Sequence, residues 1–387
     1  MRIIKAFITA LVLFAITITG FRWYVSEAIT SDTNDIDYYL SRKKYLSTSA
    51  LSNNLHKNTA LVLGSSELSR LYDSKFHPKQ MVNAKDKSFM LIGEGYFQSL
   101  NHAIRLGAVA PSMENKKVNL ILSPQWFTKD GADAMSFTSR FSEDNFIDFL
   151  KNSNIKKSTK KKIIKRTNEL LTPSPKVKER VMKYEKVYTS NKASILDSAY
   201  TGIFASFISL KTDVAFMSDY QSSDVYHRMA KPVPKFTGID ETRLLEEADI
   251  EGQQRVSNPF NMDNDNYNAR YKKRVEKKKN SQLNESYSIS PEYDDLQLFL
   301  DVCKQNKISV NLIMIPVNGA WYDHVGFSKE KREEYYQNIR TIARVNKVTL
   351  SDLSSHEYSD YFFMDATHYG WKGWVYVIED ILKFEKS

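Results

Sequence analysis

Two short stretches at opposite ends of the chain carry residue types that together could move an acyl group: Gly64-Ser65-Ser66-Glu67 and Asp365-Ala366-Thr367-His368. The first follows an apolar run, Thr59 to Leu63, and Gly64 permits a tight turn after it. A serine on such a strand-to-helix turn projects near backbone N–H groups that can stabilise an oxyanion. The same pattern also serves as a helix cap. In the second stretch, the spacing lets the Asp365 carboxylate curl back onto His368 Nδ1. That fixes the imidazole tautomer and leaves Nε2 as a general base. An incidental histidine in a surface turn reads the same way, so neither stretch decides alone.

Other polar groups sit where the same site would need them. Val118 to Leu122 is a strand-like run that ends in Ser123-Pro124-Gln125. Ser309 to Ile315 is another and ends in Pro316-Val317-Asn318-Gly319. In parallel α/β sheets functional groups collect beyond the carboxyl ends of strands. Ser65 or Ser66, Gln125 and Asn318 are therefore expected around one site. Trp126 and Trp321, near strand ends, could shape its pocket. Trp371 and Trp374 beside His368 either pack the last helix onto the sheet or touch substrate.

These residues need a scaffold, and the patterning supplies one. Lys347 to Leu350 reads as a fourth strand. Between the strands lie helical patterns. Ser290 and Pro291 read as N-cap and first helical position, with Glu292, Asp294 and Asp295 in the first turn and Tyr293, Leu296, Leu300 and Cys303 on one apolar face. Ser328 opens a charged helix to about Val345, and Trp371 to Phe384 closes the chain as a helix. This alternation predicts an α/β fold with a mainly parallel sheet covered by helices on both faces. The core is expected in 59–130 and 290–387. Residues 131–289, with basic runs at 156–166 and 270–279, predict a mostly helical insertion.

The chain has 387 residues and a formal charge of +9, which suits a polyanionic partner or surface. Its one cysteine, Cys303, excludes an intrachain disulfide framework and a cysteine-based metal site. The histidines show no metal-ligand spacing, and neither metal nor cofactor is expected. Ala6 to Phe21 is uncharged and mostly apolar, bounded by Lys5 and Arg22. At ~1.5 Å per residue it spans roughly 24 Å against a ~30 Å hydrocarbon core. Ile3, Ile4 and snorkelling basic stems extend it, and Trp23 and Tyr24 fall at an interfacial belt. Residues 1–28 are thus expected as a single-pass membrane anchor with a cytoplasmic N-terminus, or alternatively as a cleaved signal peptide. Either places the rest outside the cytoplasm, which argues against nucleic acid as partner. Residues 29–58 are expected as a spacer.

The serine after the first core strand, joined to D-x-x-H before the last helix, resembles the SGNH (GDSL-type) hydrolase superfamily. The resemblance implies a flavodoxin-like sandwich, with Ser66 as nucleophile and Ser65 standing where that superfamily has Asp. It implies Gly93 or Gly95 as backbone oxyanion donor, with Gln125 in place of the usual Asn. A narrower resemblance covers nearly the whole chain. LGSSEL (63–68), QSLNHA (98–103), SPQWF (123–127), PVNGAWYDHVGFSKE (316–330) and MDATHYGWKGW (364–374) resemble the DltD family of Gram-positive bacteria. That family is the D-alanyl transfer protein of teichoic acid D-alanylation. The resemblance implies a teichoic acid polymer as acceptor, and a membrane-bound O-acyltransferase and a D-alanyl carrier protein as candidate partners. Three functional readings follow: serine acyl transfer, D-alanyl esterase or thioesterase action on the same residues, and a non-catalytic scaffold. The scaffold reading expects charge reversal at Lys160, Lys161 and Lys162 to matter and Ser66→Ala to be silent.

Overall fold

Strands buried on both faces read as continuous apolar runs, and those of this chain do so. The computed structural model describes residues 2–30, 35–69, 75–81, 88–190, 193–223 and 240–387. Parts of the expected spacer (31–34) and insertion (191–192, 224–239) lie outside the described residues. Within them, β1 (Thr59–Gly64), β2 (Ser88–Gly93), β3 (Lys117–Leu122), β4 (Ser309–Met314) and β5 (Thr349–Asp352) form one sheet in the order β2-β1-β3-β4-β5. Every pairing is parallel. The mainly parallel α/β fold expected from the sequence is thus present. The sequence reading did not include β2. Its signal was the apolar run Phe89 to Ile92 between Ser88 and Gly93.

The two-residue period of a strand divides the side chains between two cores. Leu61, Leu63, Met90, Leu120 and Leu312 join one cluster. It also holds Leu100 and Ile104 of α6 (Ser99–Val109), Phe299 and Val302 of α12 (Glu292–Gln305) and Ile339 of α14 (Lys329–Asn346). Ala60, Val62, Phe89, Ile121 and Ile313 face the other way. There they meet Ala248 of α11 (Glu241–Arg255) and Val375, Ile378 and Ile381 of α15 (Trp371–Lys386). Ser328 caps α14 as expected, accepting from Lys331 N. At α12 the boundary moves by one residue: Pro291 takes the N-cap position, and Ser290 Oγ accepts from Glu292 N at 3.1 Å.

Residues 35–52, inside the expected spacer, form α2 (Asp35–Tyr38), α3 (Arg42–Leu46) and α4 (Thr48–Ser52). They cover the β2 edge, whose backbone would otherwise be an open template for pairing. Tyr38 Oη accepts from Phe89 N at 3.0 Å, and Asp37 accepts from Ser88 Oγ. Lys44 is fully buried, and its Nζ donates to the carbonyls of Ile36, Asp37 and Leu91. Burial pushes the Asp37 carboxyl up to about 7, against the pull of Ser88 and Lys44. Between β3 and β4 the chain is largely helical, with α7 (Glu143–Lys151), α8 (Lys157–Leu170), α9 (Pro175–Tyr188) and α10 (Ile195–Gln221).

At the N-terminus α1 (Arg2–Ala28) contains one stretch, Ile4–Ala28, long and apolar enough to cross a membrane. Trp23 and Tyr24 are exposed at its far end, while Val25 and Ile29 are buried against the body. A single N-terminal membrane span is consistent with this.

Candidate active site

The strand order reverses at the carboxyl end of β1. The chain leaves β1 to one side to build β2 and crosses to the other to build β3, and ligands of open parallel sheets bind where the order reverses. Ser66 sits there, as the first residue of the short helix α5 (Ser66–Ser69).

The two adjacent serines have different surroundings. Ser65 is buried; its N–H donates to Glu67 Oε1 and its Oγ to the Glu94 carbonyl at 3.2 Å. Ser66 is half-buried, and its Oγ lies 2.8 Å from His368 Nε2. His368 Nδ1 in turn is 2.9 Å from both Asp365 oxygens. Asp365 also accepts from the backbone N–H groups of Thr367 and His368, each at 2.9 Å. That is the local curl of an Asx turn. The 363–369 loop is held closed by an antiparallel bridge between Phe363 and Tyr369. Tyr271 Oη accepts from Ala366 N, and Asp263 N donates to the Met364 carbonyl. Burial alone would raise the Asp365 carboxyl. The hydrogen bond and charge of His368 and the two backbone donors outweigh it, and hold the group well below the usual carboxylate range. The Arg270 guanidinium stands 3.8 Å away.

The floor of the site is also specified. His102 is fully buried and its Nε2–H donates to the Gly64 carbonyl at 2.9 Å. Burial, with Arg105 nearby, pushes its pKa down to about 3, so it is a neutral packing element beneath the turn. Trp126 packs beside it, ring centroids 6.3 Å apart. Burial pushes the Glu67 carboxyl up, opposed by the Ser65 N–H.

Of the two glycines expected near the oxyanion, Gly95 flanks Ser66: a methyl there would lie 3.7 Å from Ser66 Cβ. Gly93 lies under the turn, where a methyl would meet the Ser65 carbonyl at 2.7 Å and Leu68 Cβ at 2.8 Å. Gly93→Ala is therefore expected to lose about 1–3 kcal/mol of stability through overpacking. Gly95→Ala, in ordinary contact distance, should stay within about 0.5 kcal/mol. Denaturant unfolding of the two variants checks this ordering.

Gln125 lies on a short 3-10 turn directly after β3, and the β1–β3 register brings that strand end beside the Ser66 turn. Asn318 is buried and already employed as the N-cap of α13 (Gly319–His324): its Oδ1 accepts from Trp321 N and its Nδ2 donates to the Phe260 carbonyl. Trp371 is fully buried in the second core, with Nε1 donating to Glu251. It packs the last helix.

Sequence reading missed the residues that hold the loop between β2 and α6. Glu94 is gripped by Arg42 through both Nε and Nη2, with Arg140 3.6 Å away. Tyr96 has φ +70, a conformation uncommon for a residue with a side chain, and its exposed ring lies under the Arg140 guanidinium at 5.1 Å. Arg42, Glu94 and Arg140 are far apart in the chain and fit no motif; only the Gly-Glu-Gly spelling hinted at a special loop.

With this geometry in view, the comparisons are specific. A family model described as DltD protein matches residues 34–386. Protein DltD of Bacillus subtilis (strain 168) is 32% identical over 329 residues, covering 84% of this chain and 82% of its own. Protein DltD of Staphylococcus aureus (strain NCTC 8325 / PS 47) is 30% identical over 330 residues, covering 84% and 81%. Protein DltD of Lacticaseibacillus rhamnosus is 26% identical over 366 residues, covering 88% and 82%. This chain belongs to the DltD family.

Proposed function

We propose that the protein transfers D-alanyl groups to hydroxyls of teichoic or lipoteichoic acid, outside the cytoplasm, by serine acyl transfer of the SGNH type. Family membership carries the coarse part, a role in teichoic acid D-alanylation. The finer part rests on one observation, the Ser66–His368–Asp365 relay with its 2.8 and 2.9 Å links. The β2-β1-β3-β4-β5 order, shared with flavodoxin-like sheets, supports the superfamily reading.

In the first half-reaction His368 Nε2 takes the proton of Ser66 Oγ–H as the oxygen attacks the D-alanyl carbonyl. Nδ1–H donates to ionised Asp365 throughout, which stabilises the imidazolium. The tetrahedral oxyanion collapses, the donor group leaves with the proton from Nε2, and a D-alanyl ester of Ser66 remains. In the second half a polymer hydroxyl gives its proton to Nε2, attacks the ester and releases Ser66 with that proton returned. Gly95, beside Ser66, and Gln125, at the neighbouring strand end, are the candidates for steadying the oxyanion. The membrane-bound O-acyltransferase of the pathway and a D-alanyl carrier are the candidate suppliers of the acyl group.

Hydrolysis would use the same residues with water as acceptor. The product separates them: with purified full-length protein, an acyl donor and lipoteichoic acid, transfer puts D-alanine on the polymer, whereas an esterase leaves it free.

The scaffold reading drew on the basic lobe, and the structure divides its three lysines. Lys160 is buried, and its Nζ donates to the Leu150 carbonyl at 2.7 Å. Lys161 and Lys162 are exposed. Reversing Lys160 would therefore strand a buried carbonyl and damage the fold, whatever its role. The informative variant is Lys161→Glu with Lys162→Glu. It is expected to change stability by no more than about 0.5 kcal/mol per site and to leave teichoic acid D-alanylation intact. A lost ester level with normal protein would instead favour docking through this lobe.

A further inference from the structure

Among the described residues outside α1, the α9–α10 hairpin carries a continuous exposed apolar stripe. On the N-terminal half of α10, Leu196, Tyr200, Ile203 and Phe207 recur at i, i+4, i+7 and i+11, one stripe of a helix. They are 80%, 64%, 74% and 57% exposed. The other side of the same half, Thr201, Ala205 and Ile208, is buried. Met182 of α9 is exposed as well. Soluble surfaces rarely carry so continuous an apolar stripe without an interaction to serve. No charged residue interrupts it; Asp197, off the stripe, is paired with Lys186. The neighbouring α9 has five basic residues against two acidic ones.

The position of the stripe relative to α1 says what covers it. The end of α1 is fixed on the body by buried Val25 and Ile29, by Asn53 donating to Ser26 Oγ and by Asn54 donating to the Ile29 carbonyl. Arg22 interacts with Asp213 of α10. Seven residues on, Ile29, just past the end of α1, and Tyr220 of α10 belong to one buried cluster. The two helices thus run in the same direction, and the exposed half of α10 points back toward the apolar stretch of α1. The apolar window of α1 is not buried by any part of the protein, so α1 does not cover the stripe. A bilayer crossed by α1 would meet it.

We propose that the α9–α10 hairpin is a second membrane contact. Its stripe enters the headgroup and upper acyl region, to a depth of about 5–10 Å, with the lysines of α9 over anionic headgroups. Tyr200 is of a type favoured at that depth, and Phe207 and Leu196 are of the types found on the apolar face of an interfacial helix. Two contacts would set the tilt of the body, and with it the height of the Ser66 site above the membrane. The inference is independent of the acyl-transfer reading and rests on α1 crossing the bilayer.

The test uses full-length protein in vesicles of phosphatidylcholine and phosphatidylglycerol. Native Cys303 is buried and burial pushes its thiol well up, so an added cysteine can be labelled selectively. An environment-sensitive fluorophore is placed at Ile203→Cys, at Phe14→Cys in α1 and at the exposed Lys329→Cys, with quenchers attached to shallow lipid positions. Quenching at 203 is expected to be at least about three times that at 329, the depth of an interfacial helix, with the probe at 14 also shielded from water. Quenching at 203 equal to that at 329, with 14 in lipid, overturns the proposal and leaves the anchor standing. So does a probe at 203 that is shielded only when another membrane protein is present. A probe at 14 in water overturns the anchor and the proposal together.

Discussion

Ser66→Ala is expected to abolish D-alanyl transfer while leaving the folded protein at its normal level. In the native host, ester-linked D-alanine on teichoic acid should fall to that of a strain lacking the protein. With purified components the rate should fall by at least ~10³-fold, the scale for loss of a nucleophile in such a relay. The stability change should be small, because Ser66 is half-buried and, among the described residues, its Oγ bonds only His368 Nε2. Ser65→Ala is the companion variant. It removes a buried bond to the Glu94 carbonyl, so it should cost about 1 kcal/mol and part of the activity by loosening the Glu94 loop. The pair separates the nucleophile from its supporting neighbour.

Asp365→Asn should be nearly as damaging to the reaction and more damaging to the fold. An asparagine amide facing His368 Nδ1 favours the tautomer with the proton on Nε2, where it cannot accept from Ser66. A loss on the order of 10³–10⁴-fold is expected. The effect on stability has a defined sign. The folded carboxyl lies below its unfolded value near 3.8, so it binds protons less readily in the folded state. The stability it contributes is fully present above that value and is lost as pH falls through it toward the folded pKa. The wild-type protein should therefore lose stability below about pH 4, and Asp365→Asn should show a shallower loss there. Thermal unfolding across pH 3 to 7, set beside the rates, measures both consequences.

Much of the site was legible because its chemistry is local in sequence. Asp365 and His368 meet through a three-residue curl, and Ser66 follows a strand that ends in glycine. Joining the two ends came from the resemblance to the SGNH superfamily; the rule that parallel strands present their carboxyl ends together gathered only Ser65 or Ser66, Gln125 and Asn318. The choice of Ser66 over Ser65 came from family resemblance; the structure supplies a physical basis, in that Ser65 is turned inward to Glu94. What was not legible is non-local. β2 was overlooked although it is as long as β1, β3 and β4. Residues 29–58 read as a polar and mixed spacer with some helical character around Tyr38 to Tyr45. In the structure Lys44 and Tyr38 bury their polar ends against backbone groups at the β2 edge, and Asp37 accepts there from the Ser88 hydroxyl. Asn318 looked available as a site amide, but only the fold reveals that its side chain caps a helix and holds Phe260. Lys160 shows the same limit, since one lysine of a basic run is a buried donor and its two neighbours are not.

Serine acyl transfer requires that Ser66 carry the acyl group. The most direct measurement is mass spectrometry of the Ser66 peptide from protein isolated after cells are fed isotope-labelled D-alanine, with acid quenching to preserve esters. Expected is a labelled D-alanyl adduct on Ser66 that hydroxylamine removes, that is lost in Ser66→Ala and that persists in Ser65→Ala. Normal D-alanylation of teichoic acid in Ser66→Ala cells, with no adduct on Ser66 in the wild type, would contradict it.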